Sequence, residues 1–136
     1  MATFGALLAS TVVLYRRRRA SPSVAELALG ALATHEIAGI LTTDPVTSPL
    51  RMPFVEEVTD GSSGKTEERP RGAGVRKAIG ELVTCPYCTG PWVATALAAM
   101  WAIDPRTARA VTGIFATAAM ANTVHRVYVR LERQTQ

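Results

Sequence analysis

The chain has little charge, and its charges are confined to a few stretches. Charged residues make up 19% and apolar residues 48% of its 136 residues, which is less charged and more apolar than a typical soluble domain. No Asp, Glu, Lys or Arg occurs in residues 1–15, 82–103 or 110–125. A soluble helical protein has charges on the wet face of each helix, so this separation is typical of a chain in a bilayer. A soluble bundle with unusually buried helices is the alternative.

The chain also lacks the patterns that common enzyme classes need. It has two cysteines and two histidines, with neither a Gly-rich phosphate loop nor a Ser/His/Asp arrangement. The net charge is +4, but no nucleic-acid-binding motif accompanies it. The run Arg16–Arg19 adjoins an apolar segment, as residues that contact anionic lipid headgroups do. We therefore predict no catalytic residue, no cofactor and no nucleic-acid partner.

Four apolar segments alternate with polar ones. Crossing a membrane takes about 20 apolar residues; the third segment meets this length, the fourth approaches it, and the first is short. The second segment is long enough but contains Glu26, His35 and Glu36, which point in different directions on a helix. This arrangement suits a helix packed among neighbours, with His35 and Glu36 near polar partners or headgroups. The four segments are residues 2–15, 24–41, 82–103 and 108–124.

The sequence Asp104-Pro105-Arg106 predicts a tight turn that makes the last two segments a helical hairpin. Pro105 cannot continue the preceding helix, and Thr107 can cap the next. The predicted fold is that of an all-α, small polytopic membrane protein with three or four transmembrane helices. The number depends on whether Ala2–Tyr15 spans the membrane. The parts of the chain are an N-terminal apolar segment with the Arg run (1–21), a membrane helix (22–41), a polar, partly disordered cytoplasmic loop (42–80), a Cys-x-x-Cys turn with the transmembrane hairpin (81–129) and a tail (130–136).

The distribution of Lys and Arg predicts the orientation in the cell membrane. The 42–80 loop carries six of them and the tail three, against two at the hairpin turn, so loop and tail should both be cytoplasmic. The run Arg16–Arg19 leaves two alternatives. If the second segment spans, the run faces out, against the rule; if the first spans and the second is re-entrant, the run faces in.

Small residues recur at four-residue spacing on the last two segments. Such rows let helix backbones approach closely in lipid, where packing drives association. They therefore predict a homo- or hetero-oligomer that forms through these helix faces, although an alanine-rich chain also produces such rows by chance. The rows are Ala94, Ala98 and Ala102 on the third segment and Gly113, Thr117 and Ala121 on the fourth.

The two cysteines form a Cys-x-x-Cys motif, Cys85-Pro86-Tyr87-Cys88. A thiolate at a helix N-terminus is stabilised there, and a thiol one turn on can resolve a mixed disulfide. Cys85 and Cys88 are also the candidate metal ligands, as half of a tetrahedral zinc site. The main interpretation is a reduced, cytoplasm-facing dithiol packed at a tight turn; redox exchange and metal binding are the alternatives.

Several motifs together resemble a family of small bacterial membrane proteins with a domain of unknown function, which includes a sporulation-associated member. The most specific is Gly-Glu-Leu-x-Thr-Cys-Pro-x-Cys-x-Gly-x-Trp, whose characteristic positions here are Gly80, Glu81, Cys85, Pro86, Cys88, Gly90 and Trp92. Looser matches are Leu32–His35, Thr47–Arg51 and Pro53–Glu56, and the resemblance covers residues 27–129. The chain departs from the family pattern at His35-Glu36, where an Arg is usual, and at Pro91, where an apolar residue is usual.

The resemblance implies a membrane protein and supplies no biochemical activity. Together with the composition, it predicts an integral, multi-pass protein of the cell membrane, in contact with the lipid bilayer, that acts by helix packing or partner binding without catalysis. The alternative function is that of a membrane dithiol protein that uses Cys85 and Cys88.

Overall fold

The computed structural model describes residues 2–18, 22–59 and 66–135. Helices dominate this part of the chain, as the predicted all-α class requires, and one two-stranded hairpin is the exception. In chain order the elements are α1 (Ala2–Arg18), α2 (Val24–Thr43), a 3-10 turn (Pro45–Thr47), α3 (Ser48–Arg51), β1 (Val55–Thr59), β2 (Thr66–Pro70), α4 (Val75–Thr84), α5 (Pro86–Ile103) and α6 (Pro105–Gln134).

The boundaries of two long helices follow from local capping. At the start of α2, the Ser23 backbone N–H donates to Glu26 Oε2 at 2.8 Å, and the Glu26 N–H donates to Ser23 Oγ at 3.3 Å, which is a reciprocal capping box. At the start of α6, Asp104 is the N-cap and accepts from the Arg106 N–H at 3.0 Å. The Thr107 hydroxyl donates to the Asp104 carboxylate and is not itself the N-cap. The carboxylate caps the helix because it accepts from a free backbone N–H of the first turn.

The chain divides into two compact units. The helical unit contains the residues up to Ile37 and those from Trp92 onward. Its core is formed by Ala33 of α2 with Val93 and Leu97 of α5. Three partly buried side chains, Ile37, Val111 and Phe115, pack against this core.

The polar unit consists of Ala38–Pro91. Here β1 and β2 pair antiparallel, with Val55 opposite Pro70, and α4 packs against β2. The packing is close at Gly80, where an added Cβ would lie 2.6 Å from the Phe54 carbonyl oxygen and 3.0 Å from the Pro70 Cβ. Only a glycine fits at this contact between α4 and the hairpin.

The polar stretch between the second and third apolar segments has more regular structure than its composition indicated. Residues Thr66–Pro70, within the loop that was predicted to be partly disordered, form β2, while residues 60–65 lie outside the described part of the chain. The hairpin forms with few apolar residues because Val55 is buried on one face and Glu68 has an ion-pair partner. Long-range pairing of this kind is not visible in local composition.

Two helix boundaries also differ from the limits of the apolar segments. The third segment is interrupted at Cys85, because a proline disfavours the helical conformation of the residue before it. Cys85 is accordingly extended, with φ −114° and ψ 107°. The fourth segment is the first part of α6, which continues through the charged tail to Gln134. The tail continues as helix because it lacks Gly and Pro and is rich in helix-forming residues.

Among the described helices, α2 is the one whose length and composition are sufficient to cross a membrane. Its mean hydropathy is 1.4, and 11% of its most apolar window is buried inside the structure. The count of three or four transmembrane helices therefore stays a prediction.

Candidate functional site

The turn between α4 and α5 carries both cysteines. Cys85 ends α4, where its N–H donates to the Leu82 carbonyl at 3.4 Å, and it also caps α5. The Cys88 N–H donates to the Cys85 carbonyl at 3.0 Å and lies 3.3 Å from Cys85 Sγ. Pro86 starts α5, where a missing N–H costs nothing. The Cys85 sulfur thus lies among the free N–H groups of a helix N-terminus.

The two thiols are free and lie together. Cys88 Sγ donates to Cys85 Sγ at 2.6 Å, and Cys88 is exposed. This hydrogen bond, with the Cys88 backbone N–H, holds the pKa of Cys85 below its ordinary value. A thiol with a lowered pKa is more fully ionised near neutral pH, and the thiolate is the form that attacks disulfides. The arrangement can therefore support thiol–disulfide exchange, with Cys85 as the attacking sulfur.

A metal site would need more donors than the pair provides. Within residues 2–18, 22–59 and 66–135, no group of three or more His, Cys, Asp or Glu side chains is placed to hold a metal ion. His35 is exposed on α2, and His125 is exposed on α6. Tetrahedral zinc takes four ligands in structural sites and three in catalytic sites, so Cys85 and Cys88 remain half a site.

The other positions of the sequence signature have different structural roles. Gly80 allows α4 to approach the hairpin, whereas a Cβ at Gly90 would meet no atom within 4 Å. Glu81 is exposed and lies 3.9 Å from Lys77 Nζ. Trp92 packs its ring against Phe4 of α1, with the ring centroids 5.0 Å apart. The signature therefore combines packing residues with the thiols and does not form a single pocket.

Arg51 is a central residue of the polar unit, to which the sequence analysis gave no structural role. Its side chain is 4% exposed, and its Nε and Nη2 donate to the two carboxylate oxygens of Glu68 at 2.7 and 2.8 Å. Nη1 donates to the carbonyls of Leu41 and Asp44, each at 3.1 Å. Arg51 thereby satisfies the Leu41 carbonyl in the last turn of α2, where carbonyls have no partner within the helix. Its signal in the sequence was its place in the Thr47–Arg51 motif.

Both acidic residues of α2 have polar partners on α6. Glu26 Oε1 accepts from Arg109 Nε at 3.1 Å and Nη2 at 3.0 Å, and the Arg109 guanidinium lies 5.5 Å from the centroid of the Trp101 ring. Glu36 Oε1 accepts from Asn122 Nδ2 at 2.5 Å. The prediction that Glu36 lies near a polar partner is confirmed, and the same contacts explain how an apolar helix holds two carboxylates.

The small-residue rows divide between packed and open faces. On α5, Ala102 is buried, but Ala94 is exposed. On α6 the predicted row is open, with Thr117 and Ala121 exposed. The buried small residues of α6 form a neighbouring row at spacings of three and four: Ala108, Thr112, Ala116 and Ala119.

Large apolar side chains cover much of the outside of the helical unit. They occur on α1, α2 and α6 rather than on one helix, so the unit has apolar surface on several sides. A surface of this kind is unfavourable in water when it is contiguous. Its members include Leu7, Val12 and Val13 of α1, Val24, Leu27 and Leu32 of α2, and Ile114, Met120, Val124, Val127 and Leu131 of α6.

Comparison with known proteins gives one family and one curated relative. Residues 29–128 match the family described as "Protein of unknown function (DUF1360)". The chain is 34% identical over 101 residues to "Sporulation protein YjcA" of Bacillus subtilis strain 168. The aligned region covers 72% of this chain and 86% of that protein. No solved structure matches.

Proposed function

The chain belongs to the DUF1360 family, and we propose that it is a multi-pass protein of the cell membrane that binds partner helices and catalyses no reaction. Neither the description of the family nor the name of its sporulation relative states an activity. The proposal therefore rests on the physical character of the helices.

The exposure of α2 is the observation that carries the proposal. A core helix of a soluble protein is apolar and mostly buried, but α2 is apolar and only 11% of its most apolar window is buried. Leaving that surface in water would cost about 25 cal/mol for each Å² of apolar area. A bilayer removes this cost, and the partners of Glu26 and Glu36 on α6 remove the cost of their polar groups.

We propose that α1, α5 and α6 accompany α2 in the bilayer as further spans. Their shorter apolar lengths are offset by packing in one unit, in which Phe4 contacts Trp92 and Ala33 contacts the α5 core residues. In this unit the α1 end near Tyr15 lies with the start of α2 and the end of α5. The Lys and Arg count is then nine on the loop and tail side against six on the other, which favours a cytoplasmic loop and tail.

Membrane fractionation and reporter fusions test this proposal. The protein should stay in the membrane pellet after an alkaline carbonate wash, and a reporter after residue 136 or within residues 60–65 should report a cytoplasmic location. Release by carbonate would contradict membrane integration. A periplasmic or extracellular signal at either position would contradict the orientation alone.

A second candidate function is dithiol exchange at the membrane surface. The 2.6 Å contact between Cys85 and Cys88 and the lowered pKa of Cys85 support it. In such an exchange, the Cys85 thiolate attacks a partner disulfide, one partner thiolate leaves, and Cys88 then displaces the second as the intramolecular disulfide forms. Trapping of a mixed disulfide by a Cys88→Ser variant, but not by a Cys85→Ser variant, would support this function.

The name of the relative supports sporulation as the process in which this membrane role is used. A fluorescent fusion of this chain, expressed in sporulating Bacillus subtilis in place of YjcA, should concentrate in the same membranes as a YjcA fusion. A different distribution of the two fusions would contradict this assignment.

A further inference from the structure

An open groove runs along one side of the helical unit. It encloses about 450 Å³, a volume in the range of small-molecule pockets. Small residues of α2 and α5 form much of its walls, and a Cβ at Gly30 would meet no atom within 4 Å. The lining residues are Tyr15, Pro22, Glu26, Leu27, Gly30, Ala31, Thr34, Ala94, Leu97, Ala98 and Trp101.

The groove has a polar end and an apolar end. Along α2 it extends from Glu26 to Thr34, about 12 Å at 1.5 Å per residue, and along α5 from Trp101 to Ala94, about 10 Å. The Thr34 hydroxyl donates to the Gly30 carbonyl of its own helix at 2.7 Å, so its proton is not free to donate to a ligand in the groove. The polar groups of the lining are therefore concentrated where α2 begins and α5 ends.

The polar end is also cationic. Arg109 lies over Trp101, 3.0 Å from Glu26, and its side chain is 62% exposed. Arg16 and Arg17 follow Tyr15 directly and are exposed. Glu26 neutralises one of these charges and fixes the Arg109 guanidinium on the Trp101 ring, which leaves a net positive charge at the end of the helical unit where Tyr15 and Trp101 lie. Tyr and Trp at such a position are typical of the headgroup level of a bilayer.

From this arrangement we infer that the groove holds one acyl chain of an anionic glycerophospholipid, with the lipid phosphate at Arg109. The inference rests on the proposed membrane location. A second copy of this chain, with its net charge of +4, is a poorer match for the cationic end of the groove than an anionic lipid. The first part of a single acyl chain fits the groove and the rest of that chain continues into the bilayer, while an exposed guanidinium matches the geometry of a phosphate.

Fluorescence quenching by brominated lipids tests the inference. The chain has two tryptophans, so a Trp92→Phe variant leaves Trp101, at the polar end of the groove, as the single reporter. In vesicles, phosphatidylglycerol with brominated acyl chains should quench Trp101 more strongly than brominated phosphatidylcholine at the same bromine content. Arg109→Gln should abolish this preference and retain quenching by both lipids.

A matched pair of glycine substitutions separates the groove from the rest of the surface. Gly30 and Gly39 are both glycines of α2 with open space around them, but only Gly30 lines the groove. Gly30→Leu should abolish the preference for phosphatidylglycerol, and Gly39→Leu should keep it. Equal far-UV circular dichroism of the two variants establishes that both are folded.

Three outcomes would overturn the inference. They are equal quenching by the two lipids, an unchanged preference in Gly30→Leu, and a change in oligomeric state in Gly30→Leu without any lipid preference, which would assign the groove to a second copy. The carbonate wash distinguishes these from failure of the proposed function: a protein that resists the wash but shows no lipid preference retains its membrane location and loses only the groove ligand.

Discussion

Arg51 and Glu68 are joined by two parallel hydrogen bonds, Nε to Oε2 at 2.7 Å and Nη2 to Oε1 at 2.8 Å. The pair connects α3 to β2, and the third nitrogen of the same guanidinium contacts the end of α2. One side chain thus holds together three elements that are separate in the sequence.

Removal of Arg51 should destabilise the polar unit. Arg51→Ala leaves Glu68 without its ion-pair partner and the Leu41 carbonyl without its side-chain donor, a change that costs about 3–5 kcal/mol for a buried pair. Hydrogen exchange of the β1 and β2 amides should report this loss as faster opening. Lys77→Ala is the control, because Lys77 and Glu81 are 56% and 60% exposed and such pairs contribute little. Equal exchange in the two variants would contradict the prediction.

Acid should open the same unit through Glu68. The hydrogen bond from Arg51 lowers the pKa of Glu68, so the folded state binds the proton less well than the unfolded state. The pair therefore stabilises the fold above the ordinary Glu value of about 4.3, and this contribution is lost as pH falls through the lower folded pKa. Hydrogen exchange of the hairpin measured from neutral pH to pH 3 should show the loss, corrected for intrinsic rates. Glu68→Gln should remove the part of the pH dependence of hairpin exchange that comes from this carboxyl.

Two glycines of the signature should respond oppositely to alanine. Gly80→Ala places a Cβ 2.6 Å from the Phe54 carbonyl oxygen, and overpacking against backbone typically costs about 1–3 kcal/mol. Gly90→Ala enters open space inside α5, where alanine is favoured over glycine by about 1 kcal/mol. Thermal unfolding of the detergent-solubilised protein should show a lower midpoint for the first variant and an equal or higher one for the second. The reverse order would contradict the packing of α4 on the hairpin.

The reactivity of Cys85 should depend on the group at position 88. The Cys88 thiol is the largest cause of the lowered pKa of Cys85. Cys88→Ala removes that donor, so the pH at which Cys85 alkylates at half its maximal rate should rise. Cys88→Ser keeps a hydroxyl donor and should shift it less. Iodoacetamide labelling followed by mass spectrometry measures both profiles, and identical profiles would mean that the hydrogen bond has no influence.

The open row on α6 should carry self-association. Gly113, Thr117 and Ala121 lie outside the buried row of the same helix, so they are available to a second copy or another membrane helix. Gly113→Leu should weaken dimer formation in detergent, as measured by analytical ultracentrifugation. Thr123→Leu, at an exposed position about 120° around the helix from Thr117, is the control and should leave association unchanged. A stable monomer in the unmodified chain would contradict self-association directly.

The sequence predicted well those features that depend on neighbouring residues. The boundary between α5 and α6 at Asp104 followed from Pro105, since a proline acts on the residue next to it. A polar partner for Glu36 was also expected, because a carboxylate on an apolar helix needs one.

The features that the sequence did not reveal depend on residues far apart in the chain. Arg51 and Glu68 are 17 residues apart, and neither differs from a surface charge in composition. The β-hairpin of β1 and β2 was not predicted either, because its strands are short and polar and pair across an intervening loop. Gly80 stood in the signature, but its role requires knowing that Phe54 and Pro70 lie against it.

The length of α6 has a mechanical consequence. At 30 residues it measures about 45 Å, more than the roughly 30 Å hydrocarbon thickness of a bilayer. Arg126, Arg130 and Arg133 follow Asn122 at helical spacings of four and three, so they share the face that contacts Glu36 on α2. Because α6 is one continuous helix, the contact between Asn122 and Glu36 of α2 also fixes the direction in which the three arginines point.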